Sequence, residues 1–374
     1  LDALATVIFS SGSTGEPKGV MLSHYNIGAN IAQMEQVFAL GKRDCILGVL
    51  PFFHSFGFTG TFALPAVLGV GVVFHANPLD TKTIGTLAQQ HAVTFVLATP
   101  TFLQLYLRGC TPEQFGSVRL VAVGAEKLPD RLATAFEERF GLRPLEAYGC
   151  TECAPAVTVN TFDYRAAGFH QVGGKRGKIG HPLPGVCVRV VPVENPASGA
   201  PLPVGASGLL LVRGPNVMLG YLGQPEKTAA VFATDGAANE RWYITGDVAA
   251  VDEDGFVQIT DRLTRFSKIG GEMVPHIKVE EQLHELAGAL EQTFVVTSVP
   301  DEKKGERLVV LHKLADGPLA ECLEKLGAAD LPNLWKPKAD AFFRVEQFPL
   351  LGTGKLDLRK VKETAQALAA VPVA

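Results

Sequence analysis

Cysteine is scarce in this 374-residue chain: Cys45, Cys110, Cys150, Cys153, Cys187 and Cys322 are scattered and too few to form a disulfide scaffold. Cys150 and Cys153 form one C-x-x-C, but no second Cys or His pair stands at zinc-finger spacing. Charge of one sign is also lacking. With 34 Lys and Arg against 38 Asp and Glu, the net charge is -4 and the pI about 6.2, which removes the electrostatic footprint of a nucleic-acid binder. Internal repeats and low-complexity tracts are absent. The opening Leu1-Asp2-Ala3-Leu4 has neither the basic nor the apolar region of a signal peptide. These features predict reduced thiols in a cytoplasmic compartment. The chain also starts without Met and almost inside a strand, as expected for a fragment or a processed product of a longer protein.

From Cys45 to Leu79 there is no Asp, Glu, Lys or Arg. Pro51, His54, Pro65 and several glycines interrupt this run, whereas a membrane-spanning helix needs about 20 uninterrupted apolar residues. A buried element is therefore expected. Within it, Pro51-Phe52-Phe53-His54-Ser55-Phe56-Gly57 leads into a helix from Phe58 to Leu68 and suits the mouth of a pocket for an apolar chain. A lone His beside aromatics also fits a simple packing role. With no acidic residue between Asp44 and Asp80, such a pocket could not meet a substrate ammonium. Amino-acid substrates are disfavoured.

What the chain does have is a loop built for phosphate. The apolar run Leu4 to Phe9 feeds into Ser10-Ser11-Gly12-Ser13-Thr14-Gly15-Glu16-Pro17-Lys18-Gly19. The glycines let backbone N–H groups converge, Ser11, Ser13 and Thr14 add hydroxyls, and Lys18 adds a positive charge. The pattern is not a Walker loop, which disfavours a simple ATPase. Short apolar strands at Ile46 to Leu50, Val72 to His75, Phe95 to Ala98 and Leu120 to Val123 alternate with helical segments, predicting an α/β domain with a mostly parallel sheet. Ligands bind at the carboxyl ends of such strands. There stand Gly124-Ala125-Glu126 and Tyr148-Gly149-Cys150-Thr151-Glu152, offering an aromatic face for a base, a hydroxyl for phosphate and a hard oxygen for Mg²⁺. Gly173 to Lys178 is a small basic loop, solvated or a contact for an acidic carrier protein. From Lys178 the pattern turns to short strands with Pro and Gly turns, a β-barrel-like subdomain over 178–260. In Tyr243-Ile244-Thr245-Gly246-Asp247, the carboxylate could accept both ribose hydroxyls or simply close a turn.

These segments together resemble the adenylate-forming (AMP-binding) enzymes, over essentially the whole chain and in the same order. The wording Phe266-Ser267-Lys268-Ile269-Gly270-Gly271-Glu272-Met273-Val274 is most similar to the acyl-[acyl-carrier-protein] synthetase portion of bacterial acylglycerophosphoethanolamine acyltransferases. The resemblance implies a large ATP- and acyl-binding domain over 1–262 and a small mobile α+β domain over 263–374, with the family's amino-terminal part missing. It implies ATP and Mg²⁺ as cofactors, a fatty acid as substrate, and a pantetheine thiol of acyl carrier protein, or of CoA, as acceptor. It implies a link to phospholipid reacylation and peripheral contact with the inner membrane through segments outside this chain.

Residue by residue, the resemblance places phosphates on Ser11, Gly12, Ser13, Thr14, Gly15 and Lys18. The nucleotide falls to Gly124, Ala125, Glu126, Tyr148, Gly149 and Thr151, Mg²⁺ to Glu152, and ribose to Asp247 and Arg262. His54 lies near the acid's carboxylate, Gly270 and Gly271 line the pantetheine path, and Lys355 neutralises charge developing at the α-phosphate. Arg265 departs from the family, standing where the hinge residue is commonly Asp or Lys. A non-catalytic nucleotide- or carrier-binding piece is the alternative of another class.

Overall fold

Short, continuous apolar runs build the central sheet of the computed structural model, which describes residues 1–11, 17–196, 200–235, 240–270, 272–301, 303–350 and 356–370. Strands β3 (Cys45–Gly48), β4 (Gly71–Phe74), β5 (Phe95–Ala98), β6 (Leu120–Val123) and β7 (Pro144–Gly149) run parallel, in spatial order β7-β6-β5-β3-β4. Antiparallel β8 (Ala156–Val159) and the short strand His181–Pro182 extend the β7 edge to seven strands. Ile46, Phe95, Leu97, Leu120 and Ala122 face one core. Their neighbours Leu47, Val96, Ala98, Val121 and Val123 face another. A sheet buried on both faces needs helices on both, and it has them. Helices Thr81–Gln90, Pro100–Gly109 and Asp130–Phe140 cover the second face with Ile84, Leu103, Tyr106, Leu132 and Phe136. Helix α1 (His24–Phe38) covers the first with Ile27, Ile31, Met34 and Phe38.

The loop between β3 and β4 contains no spanning helix. Ser55 to Leu68 is helical, loosened into a wider turn at Phe58–Ala63, and its buried residues include Thr59, Thr61 and Leu64. Among the described residues no helix is long and apolar enough to cross a membrane.

The amino-terminal ends of the parallel strands are clamped. Asp44, just before β3, accepts from Arg119 Nε at 2.8 Å and Nη2 at 2.9 Å, and from Thr94 Oγ1 at 2.8 Å. Those bonds to Arg119, helped by Thr94, hold the Asp44 carboxyl down at about 2. One bidentate pair thus fastens the starts of β3, β5 and β6, leaving the carboxyl ends for loops.

Strand β1 (Leu4–Ser11) and strand β2 (Pro17–Ser23) form an antiparallel hairpin, closed at Ser11 opposite Pro17. Residues 12–16 of the glycine-rich stretch, between these two strands, lie outside the described residues. Ser23 caps α1 through a reciprocal pair of bonds with Asn26. A second sheet holds Cys187–Val191, Gly208–Arg213, Glu240–Val251 and Phe232–Asp235 in that order, with Val257–Arg262 against Glu240–Val251.

The chain divides into units Leu1–Ile259 and Thr260–Ala374. The break falls inside the last of these strands. Asp261 and Arg262, grouped with the large domain by sequence, thus belong to the smaller unit. That unit has its own five-stranded sheet, again alternating between two cores. Val296, Leu308 and Val310 meet helices His276–Ala287 and Asp316–Ala328, while Val295, Val309 and Leu311 meet Leu358–Ala369.

Candidate active site

The carboxyl ends of β3, β6 and β7 deliver side chains to one region of the larger unit. The order β7-β6-β5-β3-β4 reverses direction at β3, the switch point at which an open α/β sheet forms a crevice. Beyond β3, His54 caps the following helix, its Nδ1 accepting from Phe56 N at 3.2 Å. The next residue, Ser55, is buried, and its Oγ lies 3.2 Å from Thr151 Oγ1. Beyond β6, Gly124 packs where a Cβ would come 3.2 Å from Ala147 O, Ala125 takes a left-handed φ of 73°, and Glu126 Oε2 accepts from Thr101 Oγ1 at 3.2 Å. Beyond β7, Gly149 passes so close to Pro155 O that a Cβ would sit 2.3 Å away. This permits the tight turn Thr151–Cys153, which presents Thr151 and Glu152.

Two carboxylates are held there by phenols. Tyr148 Oη donates to Asp247 Oδ2 at 2.5 Å. Asp247 reaches this position through an irregularity in its strand. Leu211 pairs with Ile244 but Leu209 pairs with Val248, so Thr245-Gly246-Asp247 bulges, with Gly246 at φ 78°. Thr245 Oγ1 stabilises the bulge, donating to Leu210 O at 2.8 Å and accepting from Asp247 N at 3.0 Å. The second phenol is Tyr221, which donates to Glu152 Oε1 at 2.9 Å. The Lys18 ammonium lies 5.0 Å from the centre of the same ring.

Burial, with Asp247 beside it, pushes the Tyr148 phenol well above its usual range, and burial beside Glu152 does the same for Tyr221. Both remain protonated donors. The Cys150 thiol is also driven up, by its bond with Cys153 and by burial, so it stays a thiol and is no nucleophile.

Tyr148 thus contacts Asp247, Tyr221 contacts both Glu152 and Lys18, and Tyr148, Thr151 and Glu152 follow one another at the end of β7. His54 joins them through Ser55, while Gly124, Ala125 and Glu126 occupy the neighbouring strand end. Ser11 closes the hairpin. Gly12, Ser13, Thr14, Gly15, Gly271 and Lys355 lie outside the described residues. Arg262 and Gly270 belong to the smaller unit. There Arg262 is exposed and its N–H donates to Asp261 Oδ1 at 2.7 Å, while Gly270 turns between two strands at φ 59°. Sequence reasoning missed Ser55, Thr245 and Tyr221.

The basic loop after Gly173 does not present free charge. Lys175 Nζ contacts Asp252 at 2.8 Å and Asp254 at 2.6 Å, Arg176 pairs with Glu137, and Lys178 Nζ donates to Gln258 at 3.1 Å. These internal partners remove the reason for placing an acidic carrier protein on it.

Among the described residues no cluster of three or more His, Cys, Asp or Glu could hold a metal ion. Glu152, the residue expected to meet Mg²⁺, is half-buried, its Oε1 accepting from the Tyr221 hydroxyl. One carboxylate suits Mg²⁺ that is carried in by phosphates, which otherwise keeps water as its ligands.

Known proteins resemble this chain in sequence and in fold. The model of the AMP-binding enzyme family matches residues 1–222. A feruloyl-CoA synthase of Amycolatopsis sp. is 33% identical over 360 residues, covering 95% of this chain and 69% of that protein. A long-chain-fatty-acid–CoA ligase of Bacillus subtilis is 32% identical over 371 residues, covering 96% of this chain and 61% of that protein. Among solved structures, ATP-bound MatB from Rhodopseudomonas palustris superposes with a TM-score of 0.85 at 28% identity, covering 98% of this chain and 69% of that one. The fold is that of the adenylate-forming enzymes, and the chain belongs to the AMP-binding enzyme family.

Proposed function

We propose that this chain is the adenylating part of an ATP-dependent fatty-acid ligase that passes its acyl group to a pantetheine thiol, with acyl carrier protein as acceptor and a role in phospholipid reacylation. The cofactors are ATP and Mg²⁺. One observation carries the reading: Lys18, Glu152 and Asp247, far apart in sequence, are gathered at one end of the sheet by the two phenols. A cation for phosphate, a carboxylate for metal and a carboxylate for ribose are the parts a nucleoside triphosphate requires.

In the first half-reaction the fatty carboxylate attacks the α-phosphate, forming an acyl-phosphate bond and releasing pyrophosphate. Mg²⁺, when bound, screens the phosphate charge. Ser11, Ser13, Thr14 and Lys18 hold phosphates, Thr151 supplies a hydroxyl, Asp247 and Arg262 hold ribose, and His54 lies by the acid. Lys355 neutralises the negative charge that grows on the α-phosphate. Positioning and electrostatics suffice without a protein nucleophile. In the second half-reaction the thiol sulfur attacks the acyl carbonyl and AMP leaves, with Gly270 and Gly271 serving the pantetheine arm. The acidic-residue gap from Cys45 to Leu79 and the exposed Phe52, Phe53 and Phe62 support an apolar acid as substrate.

A second reading replaces carrier protein by CoA, and it is favoured by the names of relatives such as the B. subtilis CoA ligase. The two are separated by trapping the adenylate as acyl-hydroxamate with a panel of acids, then offering holo-carrier protein and CoA in parallel. Acyl transfer to the carrier protein alone supports the first reading; transfer to CoA alone replaces it with the second.

A further inference from the structure

We propose that Tyr221 is a positioning residue of the phosphate site, orienting Glu152 with its hydroxyl and seating Lys18 on its ring. The inference rests on the assignment of Mg²⁺ to Glu152. Tyr221 is 3% exposed and sits in a short strand, Gly220–Tyr221, paired with β2 so that Tyr221 lies opposite Val20. That register places its ring beside Lys18 of the same hairpin, at 5.0 Å. The phenol end reaches the β7 turn and donates to Glu152 Oε1 at 2.9 Å. The backbone repeats the link, since Met218 N donates to Glu152 O at 2.8 Å.

Further bonds fix the strand itself. Leu222 N donates to Gly19 O at 2.8 Å, and Tyr221 N donates to Thr228 Oγ1 at 2.9 Å. Gly19 is closely packed there, since an added Cβ would lie 3.0 Å from Val7 Cγ1 and 3.3 Å from Leu222 Cβ. One aromatic residue therefore bridges two sides of the site that are remote in sequence. Burial alone would be satisfied by Phe; the hydroxyl is what reaches Glu152. With Oε1 engaged by the phenol, Oε2 would be the carboxylate oxygen left to meet Mg²⁺ when it is bound. Partners that orient a metal ligand typically contribute ten- to a hundred-fold in metal affinity, on the order of a second ligand shell elsewhere.

The test compares wild type with Tyr221→Phe, Tyr221→Leu and Glu152→Ala. Mn²⁺ binding to the complex with α,β-methylene-ATP is followed by electron paramagnetic resonance, and affinity for the metal-free nucleotide by calorimetry. Tyr221→Phe keeps ring and volume, so it should bind Mn²⁺ about ten-fold more weakly while metal-free affinity is unchanged. Tyr221→Leu should in addition lose about two- to five-fold in metal-free affinity, as Lys18 loses its aromatic support. If Glu152→Ala weakens Mn²⁺ binding but Tyr221→Phe does not, the positioning role is overturned while the metal assignment survives. If Glu152→Ala leaves Mn²⁺ binding unchanged, the metal assignment itself fails, and the role proposed for Tyr221 with it.

Discussion

Replacing Tyr148 by Phe removes one oxygen atom and, with it, the 2.5 Å bond to Asp247. The ring itself remains. Hydrogen bonds to charged groups contribute about 1.5–3 kcal/mol, and the lower end of that range corresponds to about ten-fold in affinity. Asp247 stands on a bulge with Gly246 at φ 78°, so its backbone is fixed by Thr245 but its carboxylate is turned by Tyr148. The loss should therefore appear where that carboxylate meets ribose. KM for ATP should rise about ten-fold with kcat little changed, as for an interaction made equally in ground and transition states. Preference for ATP over 2′-deoxy-ATP should shrink in the same variant. The assay is fatty-acid-dependent pyrophosphate exchange with each nucleotide. Unchanged KM together with unchanged discrimination would refute the reasoning, because the bond would then be irrelevant to the ribose.

Three further outcomes are expected. Lys355→Ala should nearly abolish adenylation while leaving ATP binding largely intact, measured by exchange rate and by calorimetry. Burial raises the Glu146 carboxyl to about 7 from an ordinary 4.5, against the bond that Gly177 N donates to it. The folded chain then holds a proton that the unfolded chain releases, so stability falls by about 3 kcal/mol as pH rises from about 4.5 to about 7. Glu146→Gln should flatten that slope, gaining on wild type in urea melts at pH 8 but not at pH 4. Asp44 has the opposite sign: its carboxyl is held at about 2 mainly by Arg119, so that stabilisation is present above 3.8 and lost as pH falls through 2. Arg119→Ala should cost about 1–3 kcal/mol at neutral pH and shift acid unfolding to higher pH.

The parallel sheet was legible because its causes are local. The unbroken apolar runs Phe95 to Ala98 and Leu120 to Val123, and the Ser23 cap, are written in neighbouring residues. Strand ends were less so: the strand expected over Ile46 to Leu50 is Cys45–Gly48, since β4 pairs with it no further than Gly48. The site was legible in its residue types and obscure in its contacts. Ser55 meets Thr151, and Tyr221 meets Glu152, across long separations that no periodicity announces. The partners of the loop after Gly173 were hidden for the same reason. Its charges looked available until Asp252 and Asp254 arrived from far along the chain.

Exchange of labelled pyrophosphate into ATP tests the central claim most directly, because it requires the triphosphate, the metal and the acid to meet at one place. The account predicts exchange that depends on both a long-chain fatty acid and Mg²⁺, and that is sharply reduced by Glu152→Ala. Folded, ATP-binding protein that gave no exchange with any acid, or exchange indifferent to Glu152, would contradict it.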